Sequence, residues 1–203
     1  MRQGQRLSAA VGAFAAAAVI AGCGGSESPT RAASQPAPAA ETAPAPEPAA
    51  ADDAAPDAGA ATKLAASRKN AGKVIDGDIE RTLAALRGVP VVVKQWASWC
   101  PQCHHEFPFF QELADRYGSQ VAFVGLNARD DRGDAEAYSA ENALKFPSIY
   151  DEDGSQSAAI GAGRSWPTTV IFDAQGNRAV VRPGAFATIE ELDEYIRRFA
   201  LES

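Results

Sequence analysis

The stretch that decides the fold lies near the middle of the chain and reads Trp96-Ala-Ser-Trp99-Cys100-Pro101-Gln102-Cys103-His104-His105-Glu106-Phe107-Pro108. The run before it, Val89 to Trp96, is apolar and β-branched with little alternation, which predicts a strand buried on both faces. The residues after Cys100 have apolar side chains at helical spacing, and a glycine follows them where the helix should end: Phe107, Phe110, Ala114, Tyr117 and then Gly118. A strand is therefore expected to meet a helix at Cys100.

Two cysteines lie at this junction, three residues apart. Free N–H groups and the helix dipole favour a negative charge at a helix N-terminus, so the pKa of the Cys100 thiol should be lowered. Pro101 fits the first turn, where its missing N–H has no partner to lose. Cys103 lies one turn further on the same face. The pattern predicts an exposed Cys100 that attacks a disulfide and a Cys103 that resolves the mixed disulfide.

Outward from the junction, hydrophobic periodicity predicts further elements and an α/β fold with a mixed central sheet and helices on both faces. The predicted elements are a helix bearing Ile79, Leu83 and Leu86, capped by Asp76 or Asp78 and ended by Gly88; a strand from Val121 to Leu126; a weaker helix from Gly133 to Leu144; a hairpin of Thr168–Phe172 with Arg178–Arg182; and a last helix bearing Ile189, Leu192, Ile196 and Phe199 behind a Thr188/Glu191 capping box.

The Trp-Cys-x-x-Cys motif, with Glu106 and Pro108 three and five residues after its second cysteine, resembles the thioredoxin superfamily, and more closely its TlpA/ResA-like extracytoplasmic thiol–disulfide oxidoreductases. A second matching motif is Trp166-Pro167-Thr168-Thr169 before a buried strand. The resemblance covers about Ile75 to Phe199. It implies a thioredoxin-like fold and a protein disulfide oxidoreductase whose Cys100 and Cys103 form the redox pair, with no metal, nucleotide or flavin cofactor.

The same resemblance implies roles for residues around the pair. Pro167 would follow a cis peptide bond and lie against the redox cysteines, with the backbone of Trp166 pairing with a substrate peptide. Trp99 and Pro101 would also contact the substrate, and Pro108 would kink the helix. Glu106 is either a solvated carboxylate on the helix surface or, as the resemblance implies, the proton acceptor and donor for the thiols.

Lys94 departs from the family pattern. At six residues before the first redox cysteine, thioredoxins usually have a buried aspartate and the TlpA/ResA-like proteins often an asparagine. A lysine under the disulfide would stabilise the thiolate and make the pair more oxidising. Alternatively, its side chain extends outward from the end of the strand with the ammonium group in water. The sequence leaves both positions open.

The N-terminal segment predicts export and anchoring. Arg2 and Arg6 precede an apolar run from Leu7 to Ala21, which at about fifteen residues is short for a membrane span of roughly 20. The run ends in Ile20-Ala-Gly-Cys23, which resembles the lipobox of bacterial lipoproteins. This implies a signal peptide at residues 1–22 and a lipid on the thiol of Cys23. A plain signal peptide with a free Cys23, or an uncleaved short anchor, are the alternatives.

The composition divides the rest of the chain. Residues 24–62 contain no Val, Ile, Leu, Met or aromatic residue and are rich in Ala and Pro, so residues 23–69 are predicted to form a disordered tether and residues 70–203 the domain. Three cysteines in 203 residues are too few for a disulfide scaffold, and a net charge of -7 argues against a nucleic-acid-binding protein. The expected location is outside the cytoplasm, on the lipid surface of a bacterial membrane.

Three other functions fit part of the pattern. Cys100-Pro-Gln-Cys103-His104 matches the C-x-x-C-H attachment motif of c-type haem, although the mature chain has no methionine for a second axial ligand. The two thiols with His104 or His105 could bind Cu(I) or zinc, as in a metal chaperone. A peroxiredoxin would usually have Pro and Thr at the positions of Val93 and Ala97. The resemblance instead favours a reductase that receives electrons from a membrane donor of thioredoxin-reducing type and acts on exported thiol proteins such as apocytochrome c, although sequence does not fix the direction.

Overall fold

The computed structural model describes residues 57–203, so the predicted signal peptide, Cys23 and most of the predicted tether lie outside the described residues. Seven helices and six strands follow one another in that part of the chain. They are α1 (Ala58–Ser67), β1 (Val74–Ile75), α2 (Ile79–Ala85), β2 (Val91–Trp96), α3 (Pro101–Tyr117), β3 (Ala122–Ala128), α4 (Arg132–Glu141), β4 (Ser148–Asp151), α5 (Ser155–Ala159), β5 (Thr168–Phe172), β6 (Arg178–Pro183), α6 (Ile189–Ile196) and a π-helical turn, Arg197–Leu201, that continues α6.

The strands form one mixed sheet in the order β1-β4-β3-β2-β5-β6. Neighbours from β1 to β2 are parallel, and β5 pairs antiparallel with both β2 and β6. The predicted mixed sheet is therefore confirmed. Because β2 is central and all six of its residues are buried, the loop that follows Trp96 leaves the sheet from its middle, and α3 begins there.

The two faces of the sheet have separate cores, because successive side chains of β2 point to opposite sides. One face, here called the active face, is covered by α3, α4 and α6 and includes Val92, Trp96, Phe107, Phe110, Phe186 and both cysteines of the junction. The other, here called the scaffold face, is covered by α1, α2 and α5 and includes Leu64, Ile79, Val91, Val93, Leu126 and Ile149. Helices on both faces are confirmed.

The predicted domain boundary at residue 70 is too late, because α1 lies within the segment assigned to the tether. Asp57 caps this helix by accepting a hydrogen bond from the N–H of Ala60 at 2.9 Å. Leu64 is 1% exposed and packs into the scaffold face. Alanine-rich sequence has a high helix propensity, and this single leucine attaches the helix to the sheet. The folded domain therefore includes Ala58 onward.

Local capping agrees with the sequence for two further helices. Asp78, and not Asp76, caps α2 by accepting from the N–H of Arg81 at 2.7 Å. Thr188 caps α6 by accepting from the N–H of Glu191 at 3.3 Å. Within the described residues, no helix is both long enough and apolar enough to cross a membrane.

Candidate active site

The two cysteines form a disulfide at the N-terminus of α3. Their Cα atoms are 5.3 Å apart. Cys100 is the N-cap residue, Pro101 is the first helical residue, and the N–H of Cys103 donates to the Sγ atom of Cys100 at 3.2 Å. The first sulfur therefore receives a backbone N–H and lies at the positive end of the helix dipole, which favours a thiolate once the disulfide is reduced.

The expectation that Cys100 is exposed is wrong for this disulfide-bonded state. Cys100 is 2% exposed and Cys103 is fully buried. The reason is that the loop leading into α3 folds back onto the active face, where Cys100 belongs to the same core as Trp96 and Ala97. A partner thiol can therefore reach the disulfide only over a small area of Cys100.

A proline loop precedes β5, the strand that pairs with the end of β2 leading to Cys100. The Trp166–Pro167 peptide bond is cis, as the resemblance implied. Because β5 pairs with β2 and Thr168 lies opposite Gln95, this loop comes close to the end of β2 that leads to Cys100. Gln95 also fixes the loop directly, since its Oε1 accepts from the N–H of Gly163 at 3.1 Å.

Two tryptophans form an aromatic surface next to the cysteines. The rings of Trp99 and Trp166 have centroids 5.6 Å apart. Trp99 is 54% exposed, while its Nε1 donates to the backbone carbonyl of Arg129 at 2.9 Å. Large exposed apolar side chains in a folded protein commonly mark an interaction site. Trp166 is half-buried and packs against the core of the active face, so Trp99 is the exposed member of the pair.

Lys94 and Glu106 form a buried ion pair between β2 and α3. Their side chains are 1% and 0% exposed. The Oε2 atom of Glu106 accepts from the N–H of Phe186 at 2.7 Å, and the Nζ atom of Lys94 lies 5.0 Å from the ring centroid of Phe110. The structure therefore contradicts both the solvated position considered for Glu106 and the outward orientation considered for Lys94.

The environment of the pair disfavours charge on the lysine. Burial lowers the pKa of Lys94 well below its ordinary value of 10.5, and the positive charge of Arg182 lowers it further. Apart from each other, Lys94 Nζ and Glu106 Oε1 have no hydrogen-bond partner among residues 57–203. The pair depends on mutual compensation, since an isolated charge at this depth would be costly.

Sequence analysis missed Asp130, which holds the loop before Cys100. Its carboxylate accepts from the N–H and Oγ of Ser98 at 2.5 and 2.6 Å, and from Nδ2 of Asn127 at 2.7 Å. The carbonyl of Asp130 accepts from the hydroxyl of Tyr150 at 2.9 Å. An acidic residue two positions after the end of β3 was the available signal, but the register that brings it to Ser98 follows from β2 and β3 pairing.

The two histidines make aromatic contacts. The His104 ring stacks on Tyr138 with centroids 4.2 Å apart, and His105 meets the ring of Phe109 edge-on at 5.7 Å. Within residues 57–203, no three His, Cys, Asp or Glu side chains are grouped so as to hold a metal ion.

The sheet is mixed, a disulfide closes the first turn of the helix that follows its central strand, and a cis-proline loop precedes the strand paired with that central strand. Together these features define a thioredoxin-like redox protein. The chain belongs to the Redoxin family, whose model matches residues 41–194. The predicted thioredoxin-like fold and the TlpA/ResA-like resemblance are confirmed by this match and by the similarities described next.

Over 119 residues the chain is 34% identical to the thiol:disulfide interchange protein DsbE of Pseudomonas fluorescens biotype C, a match that covers 58% of this chain and 63% of that protein. It is 28% identical over 118 residues to the thiol-disulfide oxidoreductase ResA of Geobacillus thermodenitrificans (strain NG80-2), covering 58% and 67%. A solved secreted Mycobacterium tuberculosis disulfide oxidoreductase homologous to Escherichia coli DsbE has a TM-score of 0.50 and 31% identity, covering 57% of this chain and 85% of that one. The matched part thus spans a little under two thirds of the DsbE relative.

Proposed function

We propose that this protein is an extracytoplasmic thiol–disulfide oxidoreductase of the DsbE/ResA type, which exchanges electrons with cysteines of other exported proteins. The observation that carries the proposal is the Cys100–Cys103 disulfide at the N-terminus of α3, with the N–H of Cys103 directed at Cys100 Sγ. This is the arrangement that lowers a thiol pKa and allows two sulfurs to open and close a disulfide. The chemistry needs no metal, nucleotide or flavin.

In the reductase direction, the Cys100 thiolate attacks a substrate disulfide. A mixed disulfide forms between Cys100 and one substrate sulfur, and the other substrate sulfur leaves as a thiolate. Cys103 then loses its proton and attacks Cys100 Sγ, which closes the Cys100–Cys103 bond and releases the second substrate thiolate. The protein dithiol is oxidised by two electrons, and the substrate disulfide is reduced by the same two.

The surface beside the disulfide supports binding of an extended peptide. Trp99 supplies exposed aromatic area beside the half-buried Trp166, and Pro101 is exposed at the first helical position. The cis Pro167 begins the segment that leads into β5. In the proposed complex, the backbone of Trp166 pairs with the peptide around the substrate cysteine. Aromatic side chains supply a large contact area with little rotamer freedom to lose.

In this scheme Glu106 is the proton acceptor and donor for the thiols. It is buried on α3 one turn after Cys103, and residues three apart on a helix are neighbours on its surface. A carboxylate at this place is shielded from water, so its proton would come from the thiol and not from solvent.

The location follows from the N-terminal segment and the relatives. The lipobox-like Ile20-Ala-Gly-Cys23 supports a lipid on Cys23 after removal of residues 1–22, and acylation with more than one chain would hold the protein firmly at a membrane. In cells, Cys23→Ser should release the protein from the membrane fraction, with Cys103→Ser as the matched control that stays there. A Cys23→Ser protein that still fractionates with membranes would contradict the lipid anchor.

The central experiment is turnover of a protein disulfide, such as insulin, with dithiothreitol as electron donor. The unchanged protein should reduce insulin, Cys100→Ser should abolish the reaction, and Cys103→Ser should trap a mixed disulfide with the substrate at Cys100. Turnover that survives Cys100→Ser would refute the proposal. The reduction potential then decides direction: a value below about -230 mV favours a reductase fed by a membrane donor, with substrates such as apocytochrome c, and one near about -120 mV an oxidant.

A further inference from the structure

Arg129, the first residue after β3, has a backbone conformation that arginine rarely adopts. Its φ of 54° lies in the left-handed region, which is sterically unfavourable for a residue with a Cβ atom. Two backbone hydrogen bonds hold it there: its N–H donates to the carbonyl of Asp151 at 3.0 Å, and its carbonyl accepts from Nε1 of Trp99 at 2.9 Å. Strained backbone of this kind persists where the surroundings fix it, and it is commonly found at functional sites.

The side chain of Arg129 is also held in position. Its Nε atom donates to the carbonyl of Asp153 at 3.1 Å, and its guanidinium carbon lies 5.9 Å from the ring centroid of Trp166. A Cβ atom at Gly154 would lie 2.7 Å from that Nε atom, so the glycine leaves the space that the arginine side chain occupies. Trp99 packs against the same Trp166 ring. A fixed positive charge therefore borders the aromatic surface formed by the two tryptophans.

This charge has no counter-ion among residues 57–203. Within that range Arg129 makes no ion pair, and neither of its Nη groups donates a hydrogen bond. The carboxylates of the adjoining loops accept hydrogen bonds from other groups of the protein: those of Asp130, Asp131 and Asp153. Two Nη donors on one guanidinium match the two oxygens of a carboxylate. They are thus available to a carboxylate of another molecule.

Arg164 adds positive charge to the same surface. In the two loops that carry Trp99 and Trp166, residues 97–100 and 161–167, it is the sole charged residue. It is exposed, and it makes no ion pair within the part of the chain that the structure describes. The surface that directly precedes Cys100 therefore combines aromatic area with cations that lack a partner in the described residues.

We propose that Arg129 is a specificity-determining residue, which favours protein substrates that carry an acidic residue next to the reactive cysteine. This inference rests on the proposed function, in which the substrate lies along Trp99 and Trp166. A substrate carboxylate binds the Nη groups of Arg129, whereas a substrate lysine at the same place is repelled. Because Arg129 is exposed, we expect a selectivity of a few-fold and not of orders of magnitude.

The test measures the attack of Cys100 on short peptides that differ only beside their cysteine. The peptides are Ala-X-Cys-X-Ala with X as Glu, Gln or Lys, and each cysteine carries thionitrobenzoate in a disulfide. The Cys100 thiolate attacks the peptide sulfur, a disulfide forms between Cys100 and the peptide, and coloured thionitrobenzoate leaves with the electron pair. Every sample is the reduced full chain with Cys23→Ser and Cys103→Ser, so that Cys100 is the reacting thiol.

Each rate is divided by the rate of dithiothreitol with the same peptide, which removes the effect of X on the reactivity of the peptide itself. At low salt we expect this corrected rate to be about fivefold higher for the Glu peptide than for the Lys peptide, with the Gln peptide between them. Salt at about 0.5 M should reduce the ratio, because it screens exposed charges.

Variants assign the selectivity to one side chain. Arg129→Gln should remove most of the ratio, and Arg129→Lys should keep much of it because the charge remains. Arg164→Gln should reduce it less, since Arg164 is not held against Trp166 by the contacts that fix Arg129. Arg81→Gln is the matched control: it also replaces an exposed arginine that makes no ion pair in residues 57–203, but on α2 of the scaffold face. It should leave the ratio at about fivefold.

Equal corrected rates for the three peptides, a faster Lys peptide, or a ratio that survives Arg129→Gln would overturn the inference. Uniform slowing of all three peptides in Arg129→Gln would also overturn it, because that result assigns Arg129 to the positioning of Cys100. The proposed function itself would fail differently. In that case, none of the peptides would release thionitrobenzoate faster with the Cys100 protein than with Cys100→Ser in the same background.

Discussion

The two faces of the sheet differ in the types of side chain that are buried on them. Among the described residues, the buried part of the active face includes six aromatic rings, a disulfide and, between β2 and α3, the Lys94–Glu106 pair, whereas the buried scaffold face has one aromatic ring, Phe172, among aliphatic side chains. Adjacent residues of β2 show the contrast most directly, because Val93 points to one face and Lys94 to the other. The scaffold face provides stability through apolar burial, and the active face gives up some stability to place charge near the cysteines.

The largest effect should come from breaking the buried pair. Lys94→Met leaves Glu106 without its partner and should lower the free energy of unfolding by about 3–5 kcal/mol. Lys94→Met with Glu106→Gln should recover most of that loss, because no uncompensated charge remains and the glutamine can still accept from the N–H of Phe186. Urea unfolding of the oxidised proteins at pH 7 measures both. If the double variant is as unstable as Lys94→Met, the instability comes from packing of the lysine and not from charge.

On the scaffold face, we expect a comparable loss of stability with no change in the redox activity. Leu64→Ala removes the side chain that attaches α1 to the sheet and should lower stability by about 2–5 kcal/mol. The rate of insulin reduction should be unchanged in the folded protein. Thr62→Ala, an exposed change on the same helix, should stay within about 0.5 kcal/mol of the parent. Equal stability of the parent and Leu64→Ala would mean that α1 is not part of the cooperative domain.

Sequence reasoning succeeded where the signal is local. The strand before Cys100, the helix after it and the caps at Asp78 and Thr188 all depend on residues within a few positions of each other, and the structure has them. It failed for α1 because an alanine-rich segment with one leucine has no clear apolar periodicity. Strand β4, Ser148–Asp151, was missed because it is short and has polar residues at both ends.

The partly predicted features of the site depend on tertiary packing. Lys94 and Glu106 were each singled out, but the sequence left their environments open, because a residue near the end of a strand can face either core or solvent. The contact exists because Lys94 and Trp96 share a face of β2 and α3 crosses that face. The contact of Asp130 with Ser98 likewise joins positions 32 residues apart, which no local pattern reveals.

A smaller effect is expected at the edge of the active face, where Asp130 holds the loop before Cys100. Asp130→Ala leaves the N–H of Ser98 and the amide of Asn127 without their acceptor and should lower stability by about 1–3 kcal/mol. Insulin reduction should slow by less than about 10²-fold, because Cys100 is less well positioned. Asp131→Ala is the control: it removes the cap of α4 and should lower stability by about 1 kcal/mol with the rate of insulin reduction unchanged. Slower insulin reduction in both variants would show that lower overall stability, and not loss of the Ser98 contact, affects Cys100.

The smallest effect should come from Glu191, which opposes the charge of Arg182 at the outer border of the active face. The hydrogen bond from Arg182, with a second from the N–H of Ala187, holds the pKa of Glu191 below its ordinary 4.5. A carboxyl group whose pKa is lower in the folded state stabilises the protein above its ordinary pKa, and this contribution is lost as pH falls through the folded value. Glu191→Gln should therefore lower stability by less than about 1 kcal/mol at pH 7, since both side chains are partly exposed. The difference from the parent should shrink below about pH 4.5. Urea unfolding at pH 7, 5, 4 and 3 measures this, and a difference that grows toward acid pH would assign the opposite role to this pair.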